Sequence, residues 1–227
     1  MRNAWSALGV ALALELAGAA AAQGQGRVAG RVTILEKDNA ASRDVSDAVL
    51  WLETAAGGTV EPLTFDISIN DKTYAPRVVV APIGSTVRFP NHDPFRHNVF
   101  SVSDPNAFDL GLFGRNERRS HTFTSPGLVR VYCNVHPRMV AYVVLVGNGH
   151  YTQPANDGTF ALGDVPSGRY RLHVWHERIP SVVIQDVVAA AGGAPVQVQL
   201  DARKYRWLQH RNKTGRTYPT NAGRERY

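Results

Sequence analysis

The chain of 227 residues has a single cysteine, Cys133, so it cannot close an internal disulfide. Apart from Met1 it has one methionine, Met139. Beyond residue 22 no stretch is apolar enough to span a bilayer, which takes roughly 20 apolar residues. A mature chain without a transmembrane segment is therefore expected. Before residue 200 no segment keeps a helical period. No Ser/His/Asp set, paired carboxylates or phosphate-binding loop stands in a persuasive context, which removes the commonest hydrolytic and nucleotide chemistries.

What is present begins at the N-terminus. "MRNAWSALGVALALELAGAAAAQG" has a basic start, a short hydrophobic centre and small residues before Gln23. That is the layout of a secretory signal peptide over residues 1–22, cut after Ala22, and the expected location is the periplasm. Residues 23–227 then remain, enough for one large or two small domains. In an oxidising compartment cysteines normally pair. A lone one points to intermolecular pairing, a reactive thiol, a metal ligand or an inert buried side chain.

Charge is unevenly placed. Residues 203–227 hold Arg203, Lys204, Arg206, Arg211, Lys213, Arg216, Arg224 and Arg226 against Glu225, while the whole chain is only +6. The basic character therefore belongs to the tail, residues 201–227. A short helix around 202–210 followed by an extended arm is expected there. An exported protein rarely meets nucleic acid, so the tail reads as a solvated arm, or one that docks on an acidic partner or a membrane surface.

Between residues 27 and 200 the pattern is strand and turn. "RVAGRVTI" puts Val28, Gly30, Val32 and Ile34 on one side and Arg27, Arg31 and Thr33 on the other, the two-residue period of a half-buried strand. "DAVLWLE", "APRVVVAPIGSTVRF", "HNVFSV", "RSHTFTSPGLVRVYC", "MVAYVVLV" and "GRYRLHVWH" continue it, with turn signals such as Pro126-Gly127 and Asp157-Gly158 between them. The expected fold class is all-β, built of sandwiches.

The chemistry concentrates in "VYCNVHPRM", residues 131–139. Alternation along "LVRVYC" puts Val129, Val131 and Cys133 on one face. A tight loop can then bring Cys133, His136 and Met139 to one point. Thiolate, imidazole and thioether are soft or borderline donors, a set that selects copper over magnesium or calcium. Zinc could take Cys and His but rarely recruits methionine. Two histidines and a thiolate with a weak axial methionine make a blue-copper electron-transfer site. A second histidine is needed from another strand, and "NHDPFRHNVFSV" offers His92 and His97. Asn98 has an amide able to tie the two loops together.

"FPNHDPFRHNVF", followed by "SHTFTSPGLVRVYCNVHPRM" and a "VAYVVLV" strand, resembles the cupredoxin family, in particular its amicyanin and plastocyanin branch. The resemblance implies a cupredoxin-like Greek-key β-sandwich over residues 59–146. It also implies type 1 copper cycling between Cu(I) and Cu(II), with His97, Cys133, His136 and Met139 as ligands. His92 does not match the ligand position. In the family the histidine matching His136 has an exposed ring edge that serves as the electron port. Arg138, Arg96, Arg115, Arg118 and Arg119 would give that port a basic rim, and the redox partner protein an acidic docking face. Nothing resembles the repeated His-x-His pairs of multicopper oxidases. His121 reads as a solvated strand residue; His150, His173 and His176 read as structural or surface residues.

"GRVTI", "DAVLWLE" and "GTFALGDVPSGRYRLHVWH" resemble the small transthyretin-like sandwich found as a carboxypeptidase regulatory domain. That implies a second, discontinuous unit over residues 27–58 plus 147–200, interrupted by the copper module, with Val32 and Trp51 packed against Phe160, Tyr170 and Leu172. The expected function is single-electron transport, not catalysis. A copper-delivery protein and a structural β protein with an empty site are the alternatives.

Overall fold

The computed structural model describes residues 24–54 and 60–219. The expected signal peptide, the expected boundary at residues 58 and 59, and the end of the basic tail lie outside the described residues. The described chain is strands and turns, with one short 3-10 turn at Lys37–Asn39.

The order opens with β1 (Gln25–Leu35) and β2 (Val49–Glu53). A middle block follows: β3 (Thr64–Asp66), β4 (Ser68–Asn70), β5 (Thr73–Ala75), β6 (Val78–Pro82), β7 (Thr86–Pro90), β8 (His97–Ser101), β9 (Phe108–Phe113), β10 (Arg118–Thr122), β11 (Gly127–Tyr132) and β12 (Val140–Val146). The last block is β13 (Tyr151–Thr152), β14 (Thr159–Pro166), β15 (Gly168–Trp175), β16 (Val183–Ala189) and β17 (Val196–Asp201).

Four sheets stack in layers. The outer pair, β14-β1-β17 and β13-β2-β15-β16, encloses a core of Val32, Ile34, Leu50, Leu52, Phe160 and Leu172 with their neighbours. The inner pair, β6-β12-β11-β8-β9 and β10-β7-β3, together with the β4-β5 hairpin, encloses Phe89, Phe113, Phe123, Val131 and Cys133 among others. A third apolar layer of Val49, Val78, Val144, Val146 and Trp175 lies between the two sandwiches.

Strand periodicity explains the third layer. Along β12, Ala141, Val143 and Leu145 face the inner core, while Val144 and Val146 face the outer sandwich. The uninterrupted apolar run "VAYVVLV" is thus a strand buried on both faces. β2 is shared in the same way: Leu50 and Leu52 face the outer core, and Val49 and Trp51 face the other way. Val32, Phe160, Tyr170 and Leu172 pack together as expected. Trp51 does not join them, because it occupies the opposite face of its strand, where it stacks on His173 with ring centroids 5.1 Å apart.

Gly30 is required where β1 meets β17. A Cβ there would stand 1.9 Å from the Val196 carbonyl oxygen, so a side chain would force the parallel pair apart. The helix expected around 202–210 is absent; the chain makes a turn and then runs as coil. In "RKYRWLQHR" the apolar residues Tyr205, Trp207 and Leu208 stay exposed, and a short helix without a packed face gains too little to form.

Candidate metal centre

His97, Cys133 and His136 come from separate places and meet at one end of the inner sandwich. His97 is the first residue of β8, and Cys133 follows directly on β11. The alternation of β11 turns Val129, Val131 and Cys133 into the core. The loop after Cys133 turns tightly, with Met139 N–H donating to the His136 carbonyl at 3.1 Å. Met139 is buried in the same cluster as Cys133. His92 is exposed and stands apart from the cluster.

The three donors converge. Cys133 Sγ lies 3.8 Å from His97 Nδ1 and 3.7 Å from His136 Nδ1, and the two Nδ1 atoms are 3.1 Å apart. Donors each about 2.0–2.3 Å from one ion cannot stand more than about 4.5 Å apart, and these comply. His97 and Cys133 are 0 % exposed and His136 is 4 % exposed, so an ion held there is screened from water. Among the described residues this is the one cluster of its kind. A thiol with two imidazoles is a copper-type donor set.

The surroundings prepare each donor. His97 Nε2–H donates to Asp93 Oδ2 at 2.8 Å, which turns Nδ1 toward the thiol. Asp93 is itself held by the N–H groups of Asp71 at 2.7 Å and Lys72 at 3.0 Å. Burial pushes the Asp93 carboxyl up, but those two N–H groups and His97 outweigh it and hold the group below the ordinary carboxylate range. Burial lowers the pKa of His97, against the raising pull of Asp93, and favours the neutral imidazole that a metal needs. Burial pushes the Cys133 thiol up, while the backbone N–H groups of Asn98, Val135 and His136 pull the other way. Phe95 stands 5.3 Å from the His97 ring and 5.6 Å from the His136 ring, an apolar wall.

Three sequence expectations need correction. The Asn98 side chain does not tie the two loops together. Its amide donates to Asp109 Oδ1 at 2.6 Å and to the Gly111 carbonyl at 3.0 Å, on β9, while its backbone N–H faces the thiol. His121 is not solvated but half-buried, stacked on Phe108 at 4.3 Å. His136 does not present an exposed ring edge, since the C-terminal segment lies over its loop. Tyr218 O–H donates to the Cys133 carbonyl at 2.8 Å, and Lys213 N–H to Asn134 Oδ1 at 2.9 Å. His210 stacks on Tyr132 at 4.4 Å, and the Arg138 guanidinium sits 5.7 Å from the centre of the Trp207 ring.

No protein-family model matches the chain, and comparison with curated proteins returns no relative. Solved structures do resemble it. A copper-containing nitrite reductase from Thermus scotoductus is 30 % identical over 41 % of this chain, with a TM-score of 0.36, and the match spans only 25 % of the reductase. A purple cupredoxin from Nitrosopumilus maritimus is 24 % identical over 51 % of this chain and 99 % of its own, with a TM-score of 0.30. A reduced variant of amicyanin, with one tryptophan replaced by tyrosine, is 26 % identical over 41 % of this chain and 87 % of its own, with a TM-score of 0.34. The described chain is all-β.

Proposed function

We propose that the protein is an exported mononuclear type 1 copper protein that carries single electrons between partners and catalyses no reaction of its own. The observation that carries this reading is the convergence of two Nδ1 atoms and one thiol sulfur, all buried, within 3.8 Å of one another. His97, Cys133 and His136 would hold the metal, with Met139 as the further sulfur donor that the cupredoxin resemblance implies. Bound copper would supply one-electron chemistry, Cu(I) to Cu(II) and back.

The remaining work falls to the chain. Asp93 fixes the His97 ring, so the nitrogen donors need little rearrangement between oxidation states. N–H groups directed at the Cys133 sulfur stabilise its thiolate, and the dry surroundings set how costly a change of charge is. The outer sandwich, read as a transthyretin-like unit interrupted by the copper module, gives the inner one a fixed base. The signal-like pattern of residues 1–22 supports a periplasmic setting. The exposed cations of the C-terminal segment, Lys204, Arg206, Arg211 and Arg216, support a partner protein with an acidic face.

The test is to add Cu(II) to the purified protein. An intense blue or purple absorption that ascorbate bleaches and air restores is expected, and Cys133→Ser should abolish it. A colourless protein that binds only Cu(I) would replace this reading with copper delivery. Absence of binding would leave a structural β protein.

A further inference from the structure

The copper end is covered by the C-terminal segment of this chain. After β17 the chain crosses from the outer sandwich to the ligand loop and is fastened there at separate points. Tyr218 bonds to the Cys133 carbonyl, the Lys213 backbone to Asn134, and His210 stacks on Tyr132. Lys213 Nζ also pairs with Asp109, which already holds Asn98. What a partner meets at this end is therefore the outer face of residues 207–219, not a histidine edge.

That outer face has a distinct make-up. Trp207 is 45 % exposed and Leu208 81 % exposed, side by side. The same segment carries Lys204, Arg206, Arg211 and Arg216, all exposed and without a carboxylate partner among the described residues. Arg203 and Lys213 are the tail cations that pair, with Asp201 and Asp109. An exposed tryptophan and leucine on a segment rich in unpaired cations suit an interface with an apolar centre and a charged edge. Arg138 reaches Trp207 from the ligand loop, so the patch and the metal loop are continuous.

We propose that the C-terminal segment is the docking surface for the redox partner, a protein with carboxylates ringing an apolar centre. The proposal rests on the copper reading above for its purpose, and on the tail's geometry for its place. An anionic membrane has similar chemistry. A protein partner is favoured because this surface stands directly over the loop carrying Cys133 and His136, where a bilayer would seal the site from soluble partners.

Two measurements on the full-length chain test it. In the metal-free protein, hexacyanochromate(III), a paramagnetic trianion, should broaden the amide resonances of residues 204–211 before others. Broadening centred on Arg115–Arg119 would overturn the proposal, and either result holds whether or not copper binds. In the copper-loaded, ascorbate-reduced protein, hexacyanoferrate(III) takes up one electron and becomes hexacyanoferrate(II). Arg206→Glu with Arg211→Glu should slow that reaction about tenfold and speed oxidation by the cationic tris(phenanthroline)cobalt(III), both effects fading with salt. Arg169→Glu, on the outer sandwich, should change neither rate. Equal effects from Arg169→Glu and the tail pair would sink the docking surface. So would tail-dependent sedimentation with phosphatidylglycerol vesicles at physiological ionic strength, with the hexacyanoferrate rate unchanged; that result would mark a membrane dock.

Discussion

Asp93 shows what one residue outside the donor set can do. Its two oxygens take three donors: Asp71 N–H on one, Lys72 N–H and His97 Nε2–H on the other. Asp93→Asn must turn an NH2 group toward one of those N–H groups, so the bracket loosens although the shape is kept. Copper affinity, measured by chelator competition, should fall about 10–100-fold while the absorption persists. An unchanged affinity would mean that the His97 ring is held by packing alone. His176 makes a second case, away from the metal. It is 2 % exposed, and its Nδ1 accepts from Arg178 N–H at 3.1 Å. Burial, helped by Arg178 and Arg77 and opposed by Glu177 and Asp44, lowers its pKa from 6.5 to about 4. Between those values the unfolded chain binds a proton that the folded one refuses. The stability conferred is therefore full above pH 6.5 and is lost as pH falls through about 4. The difference is about 3 kcal/mol. His176→Asn should flatten that part of the curve of urea midpoint against pH, and a parallel curve would refute the assignment. The cluster was legible in part: a lone thiol with a histidine three residues on came from residue type and spacing, and the choice of His97 over His92 from the cupredoxin resemblance. Asp93 was not, because sequence cannot say which carboxylate a loop will turn toward a ring.

At the scale of elements, alternation made strands visible but not their neighbours. "VAYVVLV" and "RVVVAP" read as strands, yet only the stacked sheets show that β12 and β6 are apolar on both faces because a sandwich lies on each side. The tail misled for the converse reason: its chain carries no period, and its position comes from single contacts to the ligand loop. Trp175 tests the shared layer. It is 5 % exposed at the end of β15, packed with Val49, Val78, Val144 and Val146 and tilted against Tyr142 at 5.1 Å. Trp175→Ala removes a large ring from between two rigid sheets that cannot collapse onto the gap. A loss of about 3–5 kcal/mol is expected, seen as a lower urea midpoint with unchanged slope. A loss below about 1 kcal/mol, the scale of an exposed site, would mean that the layer is loosely packed.

At the scale of the whole molecule, that layer decides whether the two sandwiches melt together. Beyond the apolar contacts, Arg77 beside β6 pairs with Glu177 after β15 at 2.5 Å. The outer core also draws on segments from both sides of the inner one, so the outer sandwich closes only when residues 28–52 and 160–202 meet. All the proposed donors, in contrast, belong to the inner sandwich. Copper held there would therefore act as a lever on one half of the structure. Binding to the folded state alone adds about 2.7 kcal/mol when free metal stands about 100-fold above its dissociation constant. If the layer couples the halves, the metal-free chain should melt in one transition, and copper should move all of it upward. Trp51 and Trp175 lie in the shared layer itself, so their fluorescence should shift together with the far-ultraviolet signal of the strands. Two transitions, of which copper moves only one, would show that the sandwiches fold separately and that the outer one is carried along without bracing the site.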